Sequence, residues 1–333
     1  MLYENFNGDK GSKVDFLRHI LYTGYRFNDK FVFNSEIEFE HASTGKYGSA
    51  SVEFAYLDYL ATDYLALRAG LLLVPMGLTN EFHEPNVFLG ARRPETERQI
   101  IPTTWRENGF GALGSIGMLN YRAYVINGLN ASGFSSGGLR GGRQKGSKAK
   151  ASDLAFVGRL DLAPRPGVFF GGSVYRGGSD QGQFSLNGRD LDVMTTIGEV
   201  HAQVQLRGFD VRALYARSTV QDVEGLNEVR SLIGNQSIGE TLQGGYFQVG
   251  YNVLSQFHET LGLSPYYRFE QLDTQNKVPL GFSTDPARDG TFNTLGLEFK
   301  PIFNIVVKSD YQWNRNQAGT GRNQWNLALG YSF

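Results

Sequence analysis

The chain has 333 residues, a net charge of −1 at neutral pH and no cysteine. This composition excludes disulfides and thiolate metal sites, and it gives no overall field that would attract nucleic acid. No run of about 18 apolar residues occurs, so the sequence predicts no membrane-spanning helix, while the 42 glycines indicate many turns.

Segments of alternating polarity recur along the chain. In 34–40, three glutamates share one face of an extended strand, and Ile37 and Phe39 take the other face. This period of two is typical of strands with one polar and one apolar face. It predicts strands at 34–40, 198–206, 247–252, 263–270, 294–300 and 306–313.

The last ten residues, 324–333, show the pattern most clearly. Large apolar and aromatic groups lie on one face, and small or polar groups lie on the other. The apolar face consists of Trp325, Leu327, Leu329, Tyr331 and Phe333. This aromatic end resembles the closing strand of a bacterial outer-membrane β-barrel.

Connections between the predicted strands alternate between short and long, as they do in outer-membrane barrels. Fifteen strands can be counted back from Phe333 to Val14, and 2–7 supplies one more before a loop at 8–11. The sequence therefore predicts an all-β fold: one domain, residues 1–333, forming a 16-stranded antiparallel transmembrane β-barrel closed by 324–333. A soluble β-sandwich is the alternative, but it would not place so many charged residues on inward positions.

The longest connection, 75–108, combines apolar and charged residues. Its apolar members, such as Phe88 and Ile101, indicate packing against the inner barrel wall rather than exposure to solvent. We therefore expect a loop that folds inward and narrows the channel; an extracellular lid or a subunit contact is the alternative. The candidate constriction residues are Arg92, Arg93, Glu95, Glu97, Arg98 and Arg106.

Charged residues on the inward faces of the strands are expected to line the lumen. A barrel of sixteen strands is too wide for side chains to fill, so its interior should hold water. The predicted lining charges are Arg18, Glu36, Glu38, Arg68, Arg122, Arg159, Asp161, Glu199, Arg212, Arg268, Glu298, Lys308 and Asp310. They would either form an electric field across the channel or simply supply the polar lining that any water-filled barrel needs.

The first third of the chain carries a more specific resemblance. Its residues include EFAYLDY at 53–59, GLLLVPMGL at 70–78, FL at 88–89, RRP at 92–94, NGFG at 108–111 and VING at 125–128. Over 14–128 the sequence is similar to the phosphate-selective porins O and P and their broader relatives. The resemblance implies a 16-stranded trimeric porin with an inward-folded third loop. It does not imply phosphate selectivity, because acids are interleaved with the basic residues of this loop.

These features predict an outer-membrane porin of a Gram-negative bacterium, through which small hydrophilic solutes or ions diffuse passively. A scaffold barrel that docks a protein partner is the alternative, and an enzyme ranks below both because no Ser–His–acid grouping is evident. The scattered histidines predict no metal site, and we expect no cofactor. Basic residues at 130–152 would bind lipopolysaccharide phosphates or gather anions, or this loop is mobile and solvated.

Overall fold

A computed structural model describes residues 1–6, 11–45, 47–258 and 260–333. Asn7 and residues 8–10 of the predicted first loop lie outside this described part. Seventeen strand segments join one antiparallel sheet. Two of them, Ser12–Asp15 and Arg18–Arg26, are separated by only two residues and run in the same direction, so we number them together as β2.

The barrel formed by the described residues therefore has sixteen strands, which confirms the predicted fold class, and a separate two-stranded ribbon pairs Ser185–Leu186 with Arg189–Asp190. The strands are β1 (Leu2–Phe6), β2 (Ser12–Asp15 and Arg18–Arg26), β3 (Phe31–Glu40), β4 (Ser49–Thr62), β5 (Leu65–Leu73), β6 (Arg106–Ile116), β7 (Leu119–Asn127), β8 (Leu154–Arg165), β9 (Val168–Gly178), β10 (Met194–Leu206), β11 (Phe209–Val220), β12 (Thr241–Tyr251), β13 (Gly262–Lys277), β14 (Asp289–Ile302), β15 (Ile305–Asn316) and β16 (Gln324–Tyr331).

The sheet closes on itself through its first strand. Leu2 of β1 is aligned with Ala328 of β16 on one side and with Asp15 of β2 on the other. Closure gives β1 a partner on each side, as a bilayer favours because lipid offers no hydrogen bonds to a free sheet edge, whereas Arg18–Arg26 of β2 pairs only with β3 among the described residues. The predicted closing strand is thus β16, and it pairs with both β1 and β15.

The two faces of the sheet differ as the alternation predicts. Leu295 and Phe247 point outward and are 54% and 48% exposed, whereas Arg268 and Lys308 point inward and are 2% and 1% exposed. An apolar outer surface and a polar inner surface are the reverse of a soluble barrel. This arrangement rules out the β-sandwich considered from the sequence.

The barrel has a turn end, where the connections are short, and a loop end, where they are long. Two short helices, α1 (Glu95–Gln99) and α2 (Val223–Val229), lie in loops, and in the described part of the chain no helix is long and apolar enough to cross a membrane. Loops at the loop end share a buried apolar cluster with the upper barrel wall. Leu129, Phe134 and Leu226 are fully buried there.

Candidate functional site

The longest connection folds into the barrel, and we call it the inner loop, residues 74–105. It is shorter than the predicted 75–108 because β6 begins at Arg106, which is aligned with Leu73 of β5. Arg106 therefore belongs to the wall, where its guanidinium lies 2.7 Å from the Glu53 carboxylate. The inner loop contacts strands far from it in sequence, as the backbone N–H of Ala91 donates to Asp310 over 2.7 Å.

Buried polar side chains hold the shape of the inner loop. The Asn80 amide donates to the carbonyls of Val74 and Trp105 at 2.7 and 2.9 Å, which ties the two ends of the loop together. Glu97 accepts bonds from the backbone N–H groups of Leu78 and Thr79 at 2.9 and 2.7 Å. Because these buried groups satisfy one another, the loop can leave water without losing hydrogen bonds.

The tip of the inner loop is held by charges on β11, β13 and β15. The Lys308 ammonium donates to the carbonyls of Phe88 and Gly90, the second at 3.0 Å. Arg212 donates to the Val87 carbonyl over 2.8 Å. These side chains are inward-facing charges that would need partners in a barrel, and the backbone of the loop supplies them.

A second set of charges holds the first part of the inner loop against β7, β8 and β10. Arg159 donates to the Gly77 carbonyl over 2.6 Å and to Asp161 over 2.8 Å. Asp161 in turn lies 2.8 Å from His201, whose other ring nitrogen lies 2.8 Å from Glu199. The inner loop is therefore fixed to β8, β11 and β15, and on another side of the wall His83 lies 3.5 Å from Glu36 of β3.

All of the predicted lining charges lie on inward-facing positions and are buried or half-buried, and most have an oppositely charged partner. Examples are Arg18 with Glu38 at 3.2 Å and Arg68 with Asp58 at 2.7 Å. The remaining predicted residues are Glu36, Arg122, Arg159, Asp161, Glu199, Arg212, Arg268, Glu298, Lys308 and Asp310. Much of the polar lining is thus occupied by the inner loop or by neighbouring charges.

The predicted constriction residues divide into two groups. Arg92, Arg93 and Arg98 line a cavity of about 710 Å³ between the inner loop and strands β1, β2, β3 and β16. Glu97 does not line it, because its carboxylate is turned into the loop and also accepts the Tyr246 hydroxyl at 2.6 Å. Arg106 is likewise outside the lining of this cavity, paired on the wall as described above.

A second cavity of about 560 Å³ lies toward the loop end of the barrel. Arg288, Arg315 and Arg322 line it, and Glu95 supplies a carboxylate. The two cavities share Arg92 and Arg98 among their lining residues, so these two side chains stand between them. Arg92 is held by Glu4 at 2.9 Å, and Arg98 is held by Glu95 at 2.6 Å.

Two arginines that the sequence did not single out as pore residues lie beside the first of these cavities. Arg140 lines the 710 Å³ cavity, and Arg143 donates to the backbone carbonyls of Arg140 and Thr104. The expectation of a solvated, mobile loop at 130–152 fails for its first part, since Phe134 and Leu139 are fully buried. Those two apolar residues were the sequence signal from which the folding of this part of the loop could have been predicted.

The closed sixteen-stranded barrel with an inward-folded loop is the fold of the outer-membrane porins. Among solved structures, it is similar to OmpF of Salmonella typhi in complex with daunomycin, with 14% identity, a TM-score of 0.64 and coverage of 100% and 97% of the two chains. OmpT of Vibrio cholerae in its trimer form gives 12% identity, a TM-score of 0.62 and coverage of 100% and 96%. The anion-selective porin of Comamonas acidovorans gives 11% identity, a TM-score of 0.55 and coverage of 100% of this chain and 96% of that chain.

The sequence is 37% identical over 318 residues to an uncharacterized protein of Aquifex aeolicus (strain VF5), covering 92% of this chain and 72% of that protein. The chain belongs to the same family as that protein. No family model matches the sequence. The similarity to solved structures thus shows a porin fold, and the resemblance to the phosphate-selective porins stays an expectation.

Proposed function

We propose that this chain is an outer-membrane porin in which small hydrophilic solutes or ions diffuse passively through a water-filled passage narrowed by the inner loop. The observation that carries the proposal is the fixing of the inner loop inside the barrel by Arg159 and Lys308, with the 710 Å³ cavity between this loop and strands β1 to β3. Solutes entering at the loop end meet the 560 Å³ cavity first.

Arg92 and Arg98 form the proposed constriction between the two cavities. Charges in a narrow passage with low-dielectric walls act strongly on a solute, because field lines are focused there. Their carboxylate partners Glu4 and Glu95 hold both guanidiniums in place. The constriction would therefore discriminate by size and by charge, and it needs no conformational change to do so.

The outer membrane and a trimeric assembly complete the proposal. The apolar outward face of the barrel suits lipid, with lipopolysaccharide around the loop end. OmpT of Vibrio cholerae, which shares the fold, is described in a trimer form. A trimer of this chain would be visible as a species of three times the monomer mass in native mass spectrometry from detergent.

Planar-bilayer recording tests the function. The wild-type protein should conduct steadily without a trigger. The double substitution Arg92→Ala with Arg98→Ala should raise the single-channel conductance and admit larger neutral sugars in a liposome-swelling assay, because two large side chains leave the constriction.

The matched control is Arg165→Ala with Arg207→Ala, which removes two exposed arginines from the turn end. This control should conduct as the wild type does. Absence of steady conductance in the folded wild-type protein would contradict the porin function and favour a barrel that docks a partner.

A further inference from the structure

The barrel wall has a gap between β2 and β16 on the side of the turn end. Arg18–Arg26 of β2 pairs with β3 on one edge, and no strand among the described residues pairs with its other edge. On the far side of the gap, β16 is aligned with β1 only as far as Ala328, which lies opposite Leu2. We call the space between Arg18–Arg26 and residues 329–333 the seam.

Side-chain exposure on β2 reflects this gap. Tyr22 of β2 is aligned with Glu36 of β3, so the two side chains point to the same, inner face of the sheet. Glu36 is 4% exposed, as expected within a complete wall, whereas Tyr22 is 62% exposed. The inner face of β2 is therefore open on the side of the seam.

The 710 Å³ cavity reaches the seam. Its lining includes every residue of 16–22 and of 328–333. Successive side chains of a strand point to opposite faces, so a cavity lined by both consecutive runs extends past the two sheet edges. In a bilayer these edges would be costly, because lipid offers no hydrogen bonds to their backbone groups.

β1 leads directly into the seam. The amino group of Met1 donates to the Leu329 carbonyl over 2.8 Å, and the Leu329 N–H donates to the Met1 carbonyl over 2.9 Å. The Ser332 N–H donates away from the seam, to the Asn304 carbonyl over 2.9 Å. Hydrogen bonding alternates along an antiparallel strand, so the backbone groups of Tyr331 point into the seam, in register with those of Leu329.

We propose that the seam holds one further extended polypeptide segment, joined to β1 through Met1. The main chain of a strand satisfies the backbone groups of both edges whatever its side chains are. A second copy of the barrel would not reach both edges, because its strands are already paired within its own sheet. The related protein of Aquifex aeolicus supports a polypeptide occupant, since the match covers 72% of its length and leaves further polypeptide outside.

The seam also determines the residue pattern of the segment. Positions beside Gly330 and Ser332 face the lumen, and a Cβ at Gly330 would meet Pro85 of the inner loop at 2.8 Å. Small or polar residues therefore fit these positions. Positions beside Tyr331 and Phe333 face outward, where both aromatic residues are exposed, so apolar residues fit there.

Disulfide formation tests where such a segment lies. Nine residues, the length of Arg18–Arg26, are added before Met1, with Ser at inward and Val at outward positions. Cys replaces the third residue before Met1, in combination with Ser332→Cys. If the β1 register continues, these two residues form a non-hydrogen-bonded pair with Cα atoms about 4.5 Å apart, which is within disulfide reach.

The chain has no cysteine of its own, so the two added thiols are the only ones available. Oxidation of the folded protein in lipid vesicles with copper phenanthroline should join the two ends in most molecules and change their mobility in a denaturing gel without reductant. The control combines the same extension with Ser185→Cys, an exposed position in the ribbon at the loop end. It should stay unjoined.

Urea unfolding in lipid vesicles tests whether the segment stabilises the barrel. The Ser and Val extension should raise the urea midpoint above that of the chain without it. A matched extension with Pro at three central Val positions lacks N–H donors there and should not raise the midpoint.

Equal urea midpoints for the two extensions would overturn the proposal, and so would equal disulfide formation by Ser332→Cys and Ser185→Cys. A dimer of the unextended chain joined through Ser332→Cys of both copies would also overturn it, because a second copy would then occupy the seam. Steady conductance is measured separately, so none of these outcomes decides the proposed porin function.

Discussion

At the scale of single residues, most of the charges inside this barrel are paired with other groups of the same chain. Lys308 is 1% exposed, and its ammonium reaches two carbonyls of the inner loop and lies 3.5 Å from Glu298. A buried ammonium without partners would cost several kcal/mol. The partners come from a loop some 220 positions away in sequence, as the contact with Phe88 shows.

Replacing Lys308 with Met should release the tip of the inner loop. Methionine fills a similar volume but donates no hydrogen bond, so the Phe88 and Gly90 carbonyls lose their donor and Glu298 loses a cation. Each unsatisfied buried group costs about 1–3 kcal/mol. We expect higher and noisier single-channel current. The control is Lys277→Met, at an exposed rim position paired with Glu240, which should leave the current unchanged. If the Lys308→Met channel had the current and noise of the wild type, Lys308 would not be needed to hold the tip of the inner loop.

At the scale of elements, the inner loop behaves as a folded unit rather than a connection. Asn80 joins its two ends, and Glu97 joins its first part to α1 and, through Tyr246, to β12. The α1 helix also meets the wall, since the backbone N–H of Glu95 donates to Glu270 over 2.7 Å. Such internal bonding allows the loop to hold one position in a wet interior.

The substitution Glu97→Gln should loosen the inner loop. The Glu97 carboxylate accepts two backbone N–H groups and the Thr79 hydroxyl on one oxygen, and the Tyr246 hydroxyl on the other. An amide replaces one acceptor oxygen with a donor, so at least one of these bonds is lost at a cost of about 1–3 kcal/mol. Protease cleavage within 74–105 should become faster.

Tyr246→Phe provides the graded comparison, because it removes a single donor and keeps the ring. It should cause a smaller increase in cleavage than Glu97→Gln. If the two variants and the wild type were cleaved at the same rate, Glu97 would not hold the loop.

At the scale of the whole molecule, stability depends on the outer face meeting lipid all around the cylinder. The apolar set on this face includes Leu295, Leu297 and Phe269, each at least 40% exposed. In water such a surface would drive aggregation, whereas in a bilayer it is the favourable solvent contact. The same alternation that places charges inside therefore also determines where the protein can reside.

Leu295→Arg should destabilise the barrel in lipid by about 2–4 kcal/mol, because Leu295 lies near the middle of β14 and faces outward. Urea unfolding in lipid vesicles, followed by tryptophan fluorescence, measures the change. Leu280→Arg makes the same substitution at a loop position that is 92% exposed and should be neutral. Equal stability of the two variants would mean that Leu295 does not face lipid.

The sequence alone determined the barrel and its faces. The alternation of apolar and polar residues in 34–40 or 324–333 indicates which side of a strand faces lipid, because successive side chains of a strand point to opposite faces. The apolar residues of 75–108 likewise indicated a loop that packs inside. Each of these signals lies within one short segment, so it can be read without knowing what stands opposite.

Only the tertiary structure decided which charges remain available to a solute. Glu97 and Arg106 are charged residues of the kind that the sequence predicts for a pore constriction. In the structure, however, Glu97 is enclosed in its own loop and Arg106 pairs with Glu53. Arg140, from a segment whose composition predicts a solvated loop, lines the 710 Å³ cavity instead. The physical reason is that a charge is neutralised by whatever lies within a few ångströms of it, and in a closed barrel those neighbours come from distant strands and loops.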